Sequence, residues 1–82
     1  MSHTYDHINA ANLCEFYPHN NTLAIHSDAI TPNNLPIHLT IDWMHKPYAE
    51  RIAASPYRDI INAEIAKHPN CTLTEFIDGP LF

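Results

Sequence analysis

The hydrophobic pattern of this chain changes period near its middle. From Ile37 to Trp43 apolar and polar positions alternate without a break. Ile37, Leu39, Ile41 and Trp43 share one parity, and His38, Thr40 and Asp42 the other. A period of two is the pattern of a strand with one buried face. Burying each such apolar side chain is worth roughly 1.5–3 kcal/mol. Two further strands are predicted at 12–17 and 22–26. The gap between them, Pro18-His19-Asn20-Asn21, is made of turn-forming residues. The rival for the first of these is a helix, since Ile8, Ala11 and Cys14 have helical spacing.

Downstream the period lengthens to about four. Tyr57, Ile61 and Ile65 recur at that spacing with Ile60 beside them, which predicts a helix over 56–67. Ser55 is placed to cap it, Pro56 occupies the first helical position, and Pro69 stops it after Lys67 and His68. A shorter helix is predicted over 47–54, with Pro47 at its start. Thr72-Leu73-Thr74-Glu75 fits a capping box and predicts a third helix over 72–77. Its rival is a strand, because CTLTEFI is rich in β-branched and aromatic residues.

Strands come first and helices follow, the order expected of an α+β fold. The expectation is one small domain over residues 1–82. A three-stranded, mainly antiparallel sheet (12–17, 22–26, 37–43) would be packed by helices at 47–54, 56–67 and 72–77. Its core would draw on Leu23, Ile25, Ile37, Leu39, Ile41, Trp43, Ile52, Tyr57, Ile60, Ile61, Ile65, Leu73, Phe76 and Ile77. Leu81 and Phe82 are apolar enough to dock on it, and Tyr5 and Ile8 could pack as well. An apolar fraction of 45% supports a compact core. With a single glycine, left-handed backbone positions must fall on Asn, Asp or Gly79.

Charge narrows the function classes. Nine acids face four bases, for a formal charge of −5. Residues 1–45 hold Asp6, Glu15, Asp28 and Asp42 with no Lys or Arg. A phosphate-backbone binder needs clustered bases, so direct nucleic-acid binding is not expected. An acidic surface suits a larger protein partner with a basic surface. No apolar run approaches a membrane span, and residues 1–20 lack the basic start and apolar run of a secretion signal. The two cysteines are therefore expected to be reduced thiols in a cytoplasmic protein.

Catalytic motifs are missing. One glycine rules out a glycine-rich phosphate loop, and neither a nucleophile elbow nor HExxH occurs. The chain is expected not to be an enzyme. Cys14-x4-His19 and His68-x2-Cys71 supply two ligand pairs, so Cys14, His19, His68 and Cys71 are candidate zinc ligands, although their spacing matches no common finger. Zinc is the one cofactor the sequence suggests. His3 and His7 would share a face only in a helix their neighbours do not support. A helix-turn-helix over 56–77 is degenerate, because its second segment is acidic and apolar rather than basic.

The leading expectation is a non-enzymatic protein–protein interaction module. It would be an adaptor or inhibitor docking an acidic surface on a larger, basic protein. One form is competition with nucleic acid for a basic groove, the strategy of small phage- or plasmid-borne inhibitors. Asp28, Asp42, Met44, His45 and Tyr48 are the candidate contact residues. The alternatives are a small zinc-stabilised domain and a nucleic-acid-binding regulator. An uncovered strand edge would also admit a homodimer.

Overall fold

The computed structural model describes residues 10–32 and 34–77. Expectations for His3, Tyr5, His7, Ile8, Gly79, Leu81 and Phe82 fall outside them. The element order is α1 (Ala10–Leu13), β1 (Cys14–Tyr17), β2 (Thr22–His26), α2 (Ser27–Ile30), α3 (Ile37–Met44), α4 (Tyr48–Ala53), α5 (Arg58–Lys67) and β3 (Thr72–Phe76). The fold is α+β, with a three-stranded sheet in the order β1-β2-β3.

The hairpin forms where the turn residues predict it. β1 runs antiparallel to β2, pairing Cys14 with Ile25 and Phe16 with Leu23. Asn21 takes a positive φ of 48° in the turn. β2 is the central strand, and four of its five residues are buried. β3 lies on its other side and runs parallel to it, pairing Leu23 with Leu73 and Ile25 with Glu75. The sheet is thus mixed rather than mainly antiparallel.

Two predicted elements change type. Residues 72–77 do not form a capped helix, and Thr72–Phe76 is the third strand. Pairing with the exposed edge of β2 outweighs the capping-box pattern, and β-branched and aromatic content favours it. The segment 37–43 is not a strand, because Ile37–Met44 is helical. Pro36 opens this helix, its carbonyl accepting from the Thr40 N–H at 2.9 Å. The Thr40 hydroxyl bonds the same carbonyl at 3.1 Å. The free side of β2 goes to β3, so the 37–44 segment takes no place beside the central strand. A helix satisfies its own backbone.

That substitution moves the core. Leu23, Ile25, Ile52, Tyr57 and Ile61 are buried as expected, with Ile60, Ile65 and Leu73 packed against them. Leu13, Cys14, Ala29 and Ile30 fill the space assigned to the 37–43 segment. Ile37, Leu39, Ile41 and Ile77 are exposed instead, and Trp43 and Phe76 are half-buried. The core-facing side of the sheet carries Cys14, Phe16, Leu23, Ile25, Leu73 and Glu75 by register. On the other side His26 and Phe76 meet edge to face, with centroids 5.1 Å apart.

α4 and α5 are two helices, separated by Ala54–Tyr57. Ser55 keeps its capping chemistry one turn early. Its Oγ accepts from the Tyr57 N–H at 3.0 Å and donates to the Ala29 carbonyl at 2.6 Å. After α5, Asn70 adopts φ 65° and turns the chain into β3. The Asn21 side chain donates to the Asn70 carbonyl at 3.1 Å, and the Thr72 N–H donates to the Asn21 carbonyl at 2.8 Å. The two left-handed asparagines therefore brace each other at one end of the sheet.

Replacing Asn70 by Ala keeps a Cβ in the left-handed conformation but removes the polar side chain that lets asparagine tolerate it. The expected cost is about 1 kcal/mol, whereas Asn70→Gly should stay close to wild type. Urea unfolding of the two variants side by side measures it.

Candidate interaction surface

α3 is the least embedded helix of the fold: none of its eight residues is buried. Its exposed apolar residues are Ile37 (79%), Leu39 (42%), Ile41 (51%) and Met44 (43%). At 100° per residue, the alternation in the sequence splits into two opposite faces. Ile37, Ile41 and Met44 gather within about 60° of one another. Leu39 and Trp43 lie on the far side. Trp43 ties that far side to the body, its Nε1–H donating to the Ile30 carbonyl at 2.7 Å. The Ile37–Ile41 face is left to solvent, flanked by exposed His38, Asp42 and His45.

The chain leading into α3 is strapped down at three successive residues. Ser55 Oγ donates to the Ala29 carbonyl, Trp43 Nε1 to the Ile30 carbonyl, and Arg51 Nη2 to Thr31 Oγ1 at 2.9 Å. Arg51 is the centre of this arrangement. It is 1% exposed, an unusual place for a guanidinium. Its Nη1 lies 2.8 Å from Glu75 Oε1 and its Nη2 3.3 Å from Oε2, a two-pronged pair. Its Cζ sits 5.3 Å from the Tyr48 ring centroid. The Tyr48 hydroxyl donates to Glu75 Oε1 at 3.4 Å. Among the described residues Arg51 Nε has no hydrogen-bond partner.

The electrostatics follow from these contacts. Hydrogen bonding to Arg51 holds the Glu75 carboxyl below its ordinary value of 4.5, against an opposing push from burial. Burial, then the Glu75 charge, raises the Tyr48 phenol. The sequence reads Glu75 only as a capping-box acid and does not mark Arg51 as a contact. A signal existed, because Tyr48, Arg51, Ile52 and Ser55 share one helical stripe. An arginine on such a stripe must find an acid inside the fold.

The other candidate residues are scattered. Asp42, Met44 and His45 sit together on and just after α3, all exposed. Asp28 is half-buried in α2, where its N–H donates to His26 Nδ1 at 3.1 Å. Tyr48 belongs to the Arg51 cluster rather than to open surface.

Of the candidate zinc ligands, Cys14 opens β1 while His19 lies in the turn that closes the hairpin. Strand geometry sets Cys14 and Tyr17 about 10 Å apart along β1. Cys71 follows the α5–β3 turn, its N–H donating to the His68 carbonyl at 3.2 Å. His68 stacks on Phe16 with centroids 3.7 Å apart and planes 10° from parallel. Among the described residues, no three His, Cys, Asp or Glu side chains gather as a metal site would require. Burial, with a smaller push from Glu64, drives the Cys14 thiol up to about 11.

Within the described residues no helix is long and apolar enough to cross a membrane. The chain matches no protein-family model, no curated protein and no solved structure.

Arg51→Met strands Glu75 beside a partly buried apolar surface and should cost about 3–5 kcal/mol. Glu75→Gln should cost less and should change the acid response. A lowered carboxyl pKa stabilises the fold above its ordinary value and loses that effect as the pH falls through the lower folded value. Thermal melts of wild type should therefore fall below pH 4.5 more steeply than those of Glu75→Gln. For the cysteines, a thiol at about 11 is roughly 0.1% thiolate at pH 8. Iodoacetamide at pH 8 should label half-buried Cys71 first and reach Cys14 only under denaturant, as peptide mass spectrometry would report.

Proposed function

We propose that this chain is a non-enzymatic binding module, an adaptor or inhibitor that docks on a larger protein by laying α3 into an apolar groove. The observation that carries this reading is the bare Ile37–Ile41–Met44 face on a helix held in place by its opposite side. Anchors at i, i+4 and i+7 are the usual way a short helix engages a groove. Exposed apolar side chains grouped on one element mark contact surfaces more often than scattered ones do.

The charge distribution favours a basic partner around that groove. Three of the four bases are tied to acids: Lys46 to Glu50, Arg51 to Glu75 and Lys67 to Glu64. The fourth, Arg58, reaches the Ser55 carbonyl at 3.5 Å. Little positive charge is left to hold a phosphate backbone, which weighs against the nucleic-acid reading. Cys14, with its raised pKa and its place in the core, is a poor nucleophile, which weighs against thiol catalysis.

The test compares affinity capture by tagged wild type and by Ile37→Glu/Ile41→Glu from a host lysate. Both positions are exposed, so the variant should melt within about 5 °C of wild type. A partner should be enriched by wild type and reduced at least about tenfold by the variant. Equal recovery by both proteins, or none by either, rejects the reading.

A further inference from the structure

The bare face of α3 fits a second copy of itself, and we propose that the purified chain associates into a symmetric dimer through antiparallel α3–α3′ pairing. The face is shared with the docking reading, but the inference stands separately from it. A dimer requires only that the two copies match.

The match is set by spacing. Let the twofold axis pass at the level of Thr40, with 1.5 Å of rise per residue. Ile37 then lies about 4.5 Å to one side of the axis and Ile41 about 1.5 Å to the other. The partner's isoleucines fall at the mirror levels. The four side chains therefore interleave in the order Ile37, Ile41′, Ile41, Ile37′ rather than colliding. In the same register Asp42 stands level with His38′, and His38 with Asp42′. An antiparallel helix pair brings like flanks together, and His38 and Asp42 lie on the same flank of the isoleucine stripe. Each carboxylate thus meets an imidazole N–H of the other copy, twice by symmetry. Thr40 faces away from this flank, its hydroxyl committed to Pro36 and Leu35.

In a parallel pair the twofold sets the His38–Asp42 flank of one copy against the opposite flank of the other, so carboxylate and imidazole do not meet, and charge complementarity favours the antiparallel pair. The area limits the strength. α3 is about 12 Å long, and its stripe buries well under the roughly 800 Å² per partner of a stable complex. The dimer is therefore a weak, reversible one, filled at high concentration and open to displacement.

Sedimentation equilibrium from about 10 μM to about 1 mM tests this, a range that spans weak association. The mass should rise from the 9.4 kDa monomer toward twice that value. Asp42→Lys should weaken the dimer about tenfold, because lysine would face His38′. His38→Asp/Asp42→Lys restores opposite charges across the axis and should recover association to within about threefold of wild type. Ile41→Glu should leave monomer throughout. Circular dichroism on each variant checks that α3 is retained. A wild-type monomer up to 1 mM overturns the proposal. So does association that ignores Asp42→Lys, or a double variant no tighter than Asp42→Lys alone. A failed lysate capture with a concentration-dependent, charge-swappable dimer would reject the docking reading and leave this one intact.

Discussion

One guanidinium inside a small core sets the constraints on this fold. Taking a charge out of water costs several kcal/mol, and only a well-placed counter-charge offsets it. Arg51 has that in Glu75, which approaches with both carboxylate oxygens. The pair joins α4 to β3, and its spare proton holds Thr31. Elements far apart in the chain thus meet at a single point. An apolar pair of similar volume could pack there, but it would not hold the entrance to α3 by a directed bond.

From that joint the arrangement of α3 follows. Ala29, Ile30 and Thr31 are each held by a side chain from later in the sequence. Trp43 reaches back to Ile30 from α3 itself, so the helix is anchored by the side that carries Leu39 and Trp43. The isoleucines on the other side have nothing within the described fold to cover them. The position of α3 is well determined even though its burial is slight.

Much of the architecture was legible in the sequence, for local reasons. Pro18 to Asn21 could only be a turn, and the Tyr57–Ile61–Ile65 spacing could only bury one side of a helix. The asparagines took the left-handed positions that a nearly glycine-free chain must assign somewhere. The failures were tertiary. The Ile37–Trp43 alternation satisfies a strand with one wet face and equally a helix with two apolar sides, and the period alone does not decide between them. The 72–77 segment carried both a cap and β-branched residues, and the open side of β2 chose the latter. The stripe could mark Arg51 but not its partner, because Glu75 lies 24 residues away. Of the contact candidates, Asp42, Met44 and His45 landed on or beside the exposed helix because proximity in sequence is proximity on one element. Of the four zinc candidates, His68 and Cys71 share one turn, whereas Cys14 and His19 stand at opposite ends of β1, and among the described residues no three ligands gather.

The parallel pairing of β2 with β3 carries a kinetic cost. Leu23 meets Leu73, 50 positions further along the chain, and no tight turn can deliver that register. Closing that pairing costs the loop entropy of everything between the two strands before any contact returns it. Such late, distant closure belongs to chains that fold over milliseconds or longer rather than microseconds. In the interval the inner strand shows an open ladder of amides, the moment when this small chain is most vulnerable to sticking to its neighbours.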